Sequence, residues 1–345
     1  MPRPPQRTEP VAVDTATPSG TTRAGRSRGR LVITALFLVL VAALAATIAL
    51  RPTSPVGHWD GARGQSLFLE HYEKAFEDLP DPERTLDVRT DYGIVRVYRF
   101  AGRGESSSPL VLLPGTLSST PVWADNLPDL LDVGDVYTVD LLGEPGRSVQ
   151  ERPIRDDDQK AEWLDQTLDA LPEPSFHLVG LSIGGWTAAN LALRRPEHVT
   201  TLTMIEPVNV FGDIPLQTVA RSIPAAFSWL PRSWRDDFSS YTAGGYPVEG
   251  VAVADMIEAG MKHYRLRKPR PTKIEEEQLR TLRVPVLSIL AGQEIMHDGG
   301  ARAVAERAVP DGEVRFYPDA SHAINGEYQA ELAADIDRFV DAHDR

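Results

Sequence analysis

Beyond residue 80 the chain alternates short apolar runs with longer amphipathic stretches. Leu86–Val88 and Ile94–Phe100 are strand-like and are separated by Asp91-Tyr92-Gly93, which reads as a hairpin. Short strand-like runs follow at Leu110–Leu113, Val136–Val139, His177–Val179, Val199–Met204, Val284–Leu290 and Val314–Tyr317. Between and after them Gln159–Leu171, Ile183–Arg195 and Gln329–Val340 read as helices, and Gln65–Leu79 has its apolar residues Leu67, Phe68, Tyr72 and Phe76 close to helical spacing. Strands that alternate with helices in this way predict an α/β fold, a mostly parallel sheet with helices on both faces.

Pro207 to Arg283 breaks the rhythm. It holds Pro, Trp, Tyr and Gly, several short helical pieces and no clear buried strand, and it sits between two strands of the pattern. It reads as an inserted helical cap, at about 207–283, over the carboxyl edge of the sheet, where ligands of α/β proteins bind. Its Phe211, Phe227, Trp229, Trp234 and Tyr241 suit either an apolar acyl or alcohol pocket or the cap's own core.

The other end of the chain has a different pattern. Leu31–Leu50 contains no charged residue, and as a helix it would span about 30 Å, the thickness of a bilayer core. Arg23, Arg26, Arg28 and Arg30 lie just before it. The positive-inside rule then predicts a single-pass transmembrane anchor with the N-terminus in the cytoplasm and the body outside the cell membrane. A cleaved signal peptide, giving a secreted protein, is the alternative, with Ala45, Ala46 and Ala49 as the small residues near a cleavage point. Residues 1–30 read as a disordered basic tail and 51–64 as a linker, which leaves 65–345 as the folded domain.

Composition narrows the chemistry. The 345 residues are 42% hydrophobic and 25% charged, enough for a large core without staples. The absence of cysteine excludes a cysteine nucleophile, a thiolate metal site, a disulfide framework and a lipid-bearing cysteine. The net charge is −13, although the first 30 residues are net basic. So acidic a body argues against nucleic acid as a partner, since phosphate binding needs a basic face.

The motif Gly180-Leu181-Ser182-Ile183-Gly184 lies between a predicted strand and a predicted helix. That is G-x-S-x-G in the context it requires, a sharp turn that exposes the serine hydroxyl above the sheet. Serine is a weak nucleophile and needs a base. Of the eight histidines, His322 alone lies on the loop between the last strand and the last helix, from which it can reach back to Ser182. A carboxylate must orient that histidine. The chain order nucleophile, acid, histidine points to the loop after Val284–Leu290, where Glu294 lies nearest the strand end. Asp298 on the same loop and Glu206 after Val199–Met204 are alternatives, and His297 lies on the loop where the acid is expected. The backbone amides of Ile183 and Thr116 are the candidate oxyanion donors, the latter on the loop Pro114-Gly115-Thr116-Leu117.

With these residues in place the chain resembles the serine carboxylesterases of the α/β-hydrolase superfamily, in particular bacterial carboxylesterases of the naproxen-esterase type. The resemblance rests on LVLLPGTLSSTPVW at 110–123, VDLLGEPGRS at 139–148, HLVGLSIGGWTAANLALRRPEHV at 177–199, and AGQEIMHD at 291–298 with the later DASH. It implies an α/β-hydrolase fold and hydrolysis of a small-molecule ester without a cofactor or metal, with Glu294 in the acid's place. Pro114-Gly115 stands where that family commonly has His-Gly, and the membrane anchor is absent from its soluble members. The same residues would serve a lipase, thioesterase or peptidase, and a non-catalytic binding or signalling protein could keep the scaffold.

Overall fold

The computed structural model describes residues 32–41 and 54–344. Contacts divide the chain after Thr53, and the two parts are described separately. In the first, residues 32–41 form a helix, α1, with exposed side chains. The rest of the span expected over 31–50 lies outside the described residues, as do the tail 1–30 and residues 51–53. Among the described residues no helix is long and apolar enough to cross a membrane.

The second part opens with β1 (His58–Trp59) and α2 (Ala62–Phe76), followed by the hairpin β2 (Arg84–Thr90) and β3 (Gly93–Phe100). Next come β4 (Leu110–Leu113), α3 (Leu127–Leu130), β5 (Val136–Val139), β6 (Val149–Gln150), α4 (Asp157–Asp169), β7 (Phe176–Leu181), α5 (Ile183–Arg194) and β8 (Val199–Ile205). The insertion holds α6 (Leu216–Ala225), α7 (Arg232–Thr242), α8 (Ala252–His263), β9 (Tyr264–Arg265) and α9 (Glu276–Leu279). The chain closes with β10 (Val286–Ala291), α10 (Ala301–Ala308), β11 (Gly312–Tyr317), α11 (Ile324–Glu327) and α12 (Gln329–His343).

The main sheet has the order β2-β3-β5-β4-β7-β8-β10-β11. The pairs β2–β3 and β3–β5 are antiparallel, and every later pair is parallel. Period-two alternation splits each strand between two cores. Val111 and Leu113 face the core formed with α4, α5 and α10, while Leu110 and Leu112 face the one formed with α2, α3 and α12. Both faces are covered, which is why the parallel strands read as continuous apolar runs. Strands β5 and β7 flank β4 on opposite sides, so the chain leaves β4 and β7 around a switch point. A crevice forms there at the carboxyl ends of the strands.

The insertion is mostly helical, and three of its elements reach the loops at that crevice. Thr218 Oγ1 on α6 donates to the Ile295 carbonyl at 2.5 Å. Gly244, after α7, lies against Ser321 and Gln293, and Gly260 on α8 packs by the Leu117 carbonyl. A buried ion pair, Arg235 Nε to Glu258 Oε1 at 2.7 Å, ties α7 to α8.

Two expectations need correction. Residues 54–64, expected within the linker, belong to the body: β1 pairs antiparallel with β9, Trp59 packs 4.8 Å from both Phe68 and Tyr264, and α2 begins at Ala62. A two-residue strand has no periodicity to reveal it. The cap aromatics are neither one pocket nor one core. Phe211 is buried in the main core, whereas Phe227, Trp229 and Trp234 are exposed. Tyr241 is half-buried, with its hydroxyl 2.9 Å from Thr218 Oγ1 and Arg221 over its ring.

Candidate active site

Ser182 caps α5 with φ 56° and ψ −115°, a left-handed conformation that costs a non-glycine residue about 1–3 kcal/mol. The surrounding turn leaves no alternative. A Cβ on Gly180 would lie 2.3 Å from the Gly184 carbonyl carbon, and one on Gly184 would lie 2.1 Å from the Leu113 carbonyl oxygen. The serine is then fixed by its amide, which donates to the Ile205 carbonyl at 2.9 Å, and by its carbonyl, which accepts from Trp186 at 3.2 Å. Its side chain makes no capping bond to the helix and is turned outward.

His322 meets that hydroxyl: Nε2 lies 3.0 Å from Ser182 Oγ. The loop that carries it is pinned at both ends. Glu327 accepts from the Ser321 amide at 2.8 Å and from its hydroxyl at 2.6 Å, while Gln293 donates through its amide to the Ala320 carbonyl at 3.1 Å and through Nε2 to the Asp319 carbonyl at 2.9 Å.

The carboxylate beside His322 is that of Glu206, with Oε2 3.3 Å from Nδ1. This corrects the sequence-based preference for Glu294, which is exposed and lies with its carboxylate beside Gly299. Asp298 is also exposed, and its Oδ1 accepts from the Gly300 amide at 3.0 Å. The physical reason lies in the end of β8. The Glu206 amide continues the β8–β10 ladder by donating to the Ile289 carbonyl at 2.9 Å, and a φ of 48° turns its side chain into the crevice.

Glu206 is fully buried and accepts three hydrogen bonds. Besides His322, it takes one from the Ala291 amide at 2.5 Å and one from His297 Nε2 at 2.8 Å. Burial alone would push its carboxyl up, but the bonds from His297 and His322 hold it down at about 2, so it is ionised. Sequence reasoning gave His297 no role, because the only signal is spatial.

The candidate donors for an oxyanion lie on the two loops that meet at Ser182. Ile183 opens α5, so its amide is one of the helix's unpaired N-terminal donors. Gly115 lies against the serine, its Cβ position 3.6 Å from Ser182 Cβ. On the same loop Leu117, at φ 58°, donates its amide to Glu144 Oε2 at 3.0 Å. Thr116, between them, is exposed. Glu144, which the sequence reading did not single out, is buried and paired with Lys268 Nζ at 2.7 Å, and so fixes the loop. Among the described residues no His, Asp or Glu group is placed to hold a metal ion.

The strand order, the serine turn and the carboxyl-edge site are those of an α/β-hydrolase fold, and residues 108–247 match the family described as alpha/beta hydrolase fold. The chain is similar to the carboxylesterase nap of Bacillus subtilis, at 26% identity over 80% of this chain and 92% of that protein. It is likewise similar to the carboxylesterase YbfK of the same organism, at 24% identity over 75% of this chain and 88% of the relative. The crystal structure of the Bacillus subtilis naproxen esterase superposes with a TM-score of 0.74 at 25% identity, covering 81% of this chain and 99% of that one.

Proposed function

We propose that the protein hydrolyses carboxylic esters through an acyl-enzyme, with Ser182 as nucleophile, His322 as general base and Glu206 as the acid of the triad. The observation that carries this reading is the 3.0 Å approach of His322 Nε2 to a serine hydroxyl held on a strained turn. Nδ1–H of His322 donates to Glu206, which leaves Nε2 to take the Ser182 proton as Oγ attacks the acyl carbonyl. The amides of Ile183 and Thr116 hold the oxyanion. His322 then protonates the leaving alcohol, and water repeats the sequence to release the acid. The ester class comes from the carboxylesterase relatives.

The test is a series of p-nitrophenyl esters of increasing chain length, with labelling by a fluorophosphonate. Turnover with stoichiometric labelling of Ser182 is expected. Absence of both in the folded protein would overturn the reading.

We infer further, from the uncharged run 31–50 and the arginines before it, that the hydrolase body is held outside the cell membrane. Protease added to intact cells should cut the body and spare the tail. A protected body would reverse the orientation, and a soluble chain beginning near Pro52 would replace the anchor by a cleaved leader.

A further inference from the structure

Glu206 is shared. His322 approaches Oε2, and His297 approaches Oε1 from the other side. His297 is itself buried, and both of its ring nitrogens face oxygen. Nε2 is 2.8 Å from the Glu206 carboxylate, and Nδ1 is 3.2 Å from the Asp298 carbonyl. A carbonyl and an ionised carboxylate can only accept, so both nitrogens are satisfied only when both carry protons. Neutral imidazole has one N–H and would leave a buried pair of acceptors facing each other.

The surroundings agree. Burial disfavours the charged ring, yet Glu206 first, then the Asp298 carbonyl and the Glu294 charge, raise its pKa above the ordinary value. The Asp298 carboxylate is turned to the Gly300 amide. From the cap, the neutral hydroxyl of Thr218 donates to the Ile295 carbonyl and meets that of Tyr241, and the Lys273 ammonium interacts electrostatically with Asp298.

We propose that His297 is a positioning residue, held as the imidazolium, that fixes the Glu206 carboxylate and offsets its charge where it meets His322. This rests on the reading of Ser182, His322 and Glu206 as the triad. Without the His297 charge, Glu206 acts on His322 as an uncompensated anion and favours its protonated form, which cannot accept the serine proton. The acid side of the activity profile then moves to higher pH. A neutral amide at 297 keeps a donor for Glu206 and removes only the charge, while an apolar residue removes both.

The experiment compares wild type, His297→Gln, His297→Leu and Glu206→Gln by kcat/KM for a p-nitrophenyl ester from pH 5 to 9, with circular dichroism to show that each is folded. The expected result is an acid limb displaced upward by about one pH unit in His297→Gln, with activity retained at high pH, and a further loss of kcat at all pH values in His297→Leu. In ¹⁵N-histidine spectra of the wild type, the resonances that vanish in His297→Gln should show both nitrogens protonated at pH 7. A neutral ring at pH 7, or an acid limb unmoved in His297→Gln while Glu206→Gln is inactive, would overturn the proposal and leave the triad standing. An active Glu206→Gln would overturn the triad reading and this proposal with it.

Discussion

Glu206 and His322 stand 116 residues apart in the chain, yet the carboxylate lies 3.3 Å from the imidazole Nδ1, at the end of the strand next to the one that carries Ser182. The first prediction follows from that contact. Loss of a carboxylate that sets the histidine tautomer can cost up to about 10⁴ in kcat. Glu206→Gln should approach that loss, whereas Glu294→Gln and Asp298→Asn should stay within a few-fold of wild type. Steady-state kinetics on all three decide it, and a Glu294 variant as damaged as the Glu206 one would return the acid to the loop after β10.

The nucleophile gives the second. Ser182→Ala should lower ester turnover by at least about 10³-fold and abolish fluorophosphonate labelling, with an unchanged circular dichroism spectrum. Among the described residues the hydroxyl bonds to His322 and does not cap its helix, so Ser182→Ala should leave the fold intact.

The turn around that serine gives the third. A methyl group on Gly184 would collide with the rigid Leu113 carbonyl, while one on Gly326 meets nothing within 4 Å. Overpacking against backbone costs about 1–3 kcal/mol. Gly184→Ala should therefore lower the denaturation midpoint and displace Ser182, with activity falling further than stability. Gly326→Ala, within α11, should leave the midpoint unchanged or raise it.

What could be read in the chain follows from where each signal resides. Ser182 was legible because the elbow compresses strand, turn and helix into five consecutive residues with two obligatory glycines. His322 was legible because the alternation leaves a single histidine on the last strand-to-helix loop. The acid was not. Glu206 and Glu294 follow strands that become neighbours in the sheet and have nearly the same φ, 48° and 51°, but Glu206 comes directly after β8 and is buried, whereas Glu294 lies three residues beyond β10 and is exposed. His297 was invisible for the same reason, since its partner lies 91 residues away. The long strands appeared within two residues of their predicted bounds, but two-residue β1 and β9 carry no period and came to light only through their pairing.

The cap gives the fourth prediction. Arg235 and Glu258 are both buried, and Arg235 also donates to the Leu230 carbonyl at 3.1 Å. Removing one partner of such a pair leaves an uncompensated charge, at about 3–5 kcal/mol. Arg235→Met should therefore destabilise the protein more than the double change Arg235→Met with Glu258→Leu. Equal midpoints for single and double variants in chemical denaturation would mean the pair is not coupled.

The last prediction concerns stability against pH, where Glu206 and His297 act in opposite windows. Glu206 is held below its ordinary 4.5, at about 2, so the unfolded chain binds its proton more readily than the folded one. Its contribution is full above about 4.5 and is lost as pH falls toward 2. His297 is raised above its ordinary 6.5, so the folded chain binds its proton more readily. That contribution is full below about 6.5 and is lost as pH rises through the folded value. The pair therefore stabilises most between about 4.5 and 6.5. Two other histidines run the other way: desolvation lowers both buried His177 and half-buried His263, which adds stability as pH rises. The wild-type curve alone mixes these contributions, so the informative quantity is the difference in unfolding free energy between wild type and His297→Gln, measured by urea titration from pH 4.5 to 9. That difference should be largest near pH 5–6 and shrink steadily on the alkaline side. A difference that is flat across the range, or that grows with pH, would mean that His297 is neutral in the folded protein and donates to Glu206 as an ordinary imidazole.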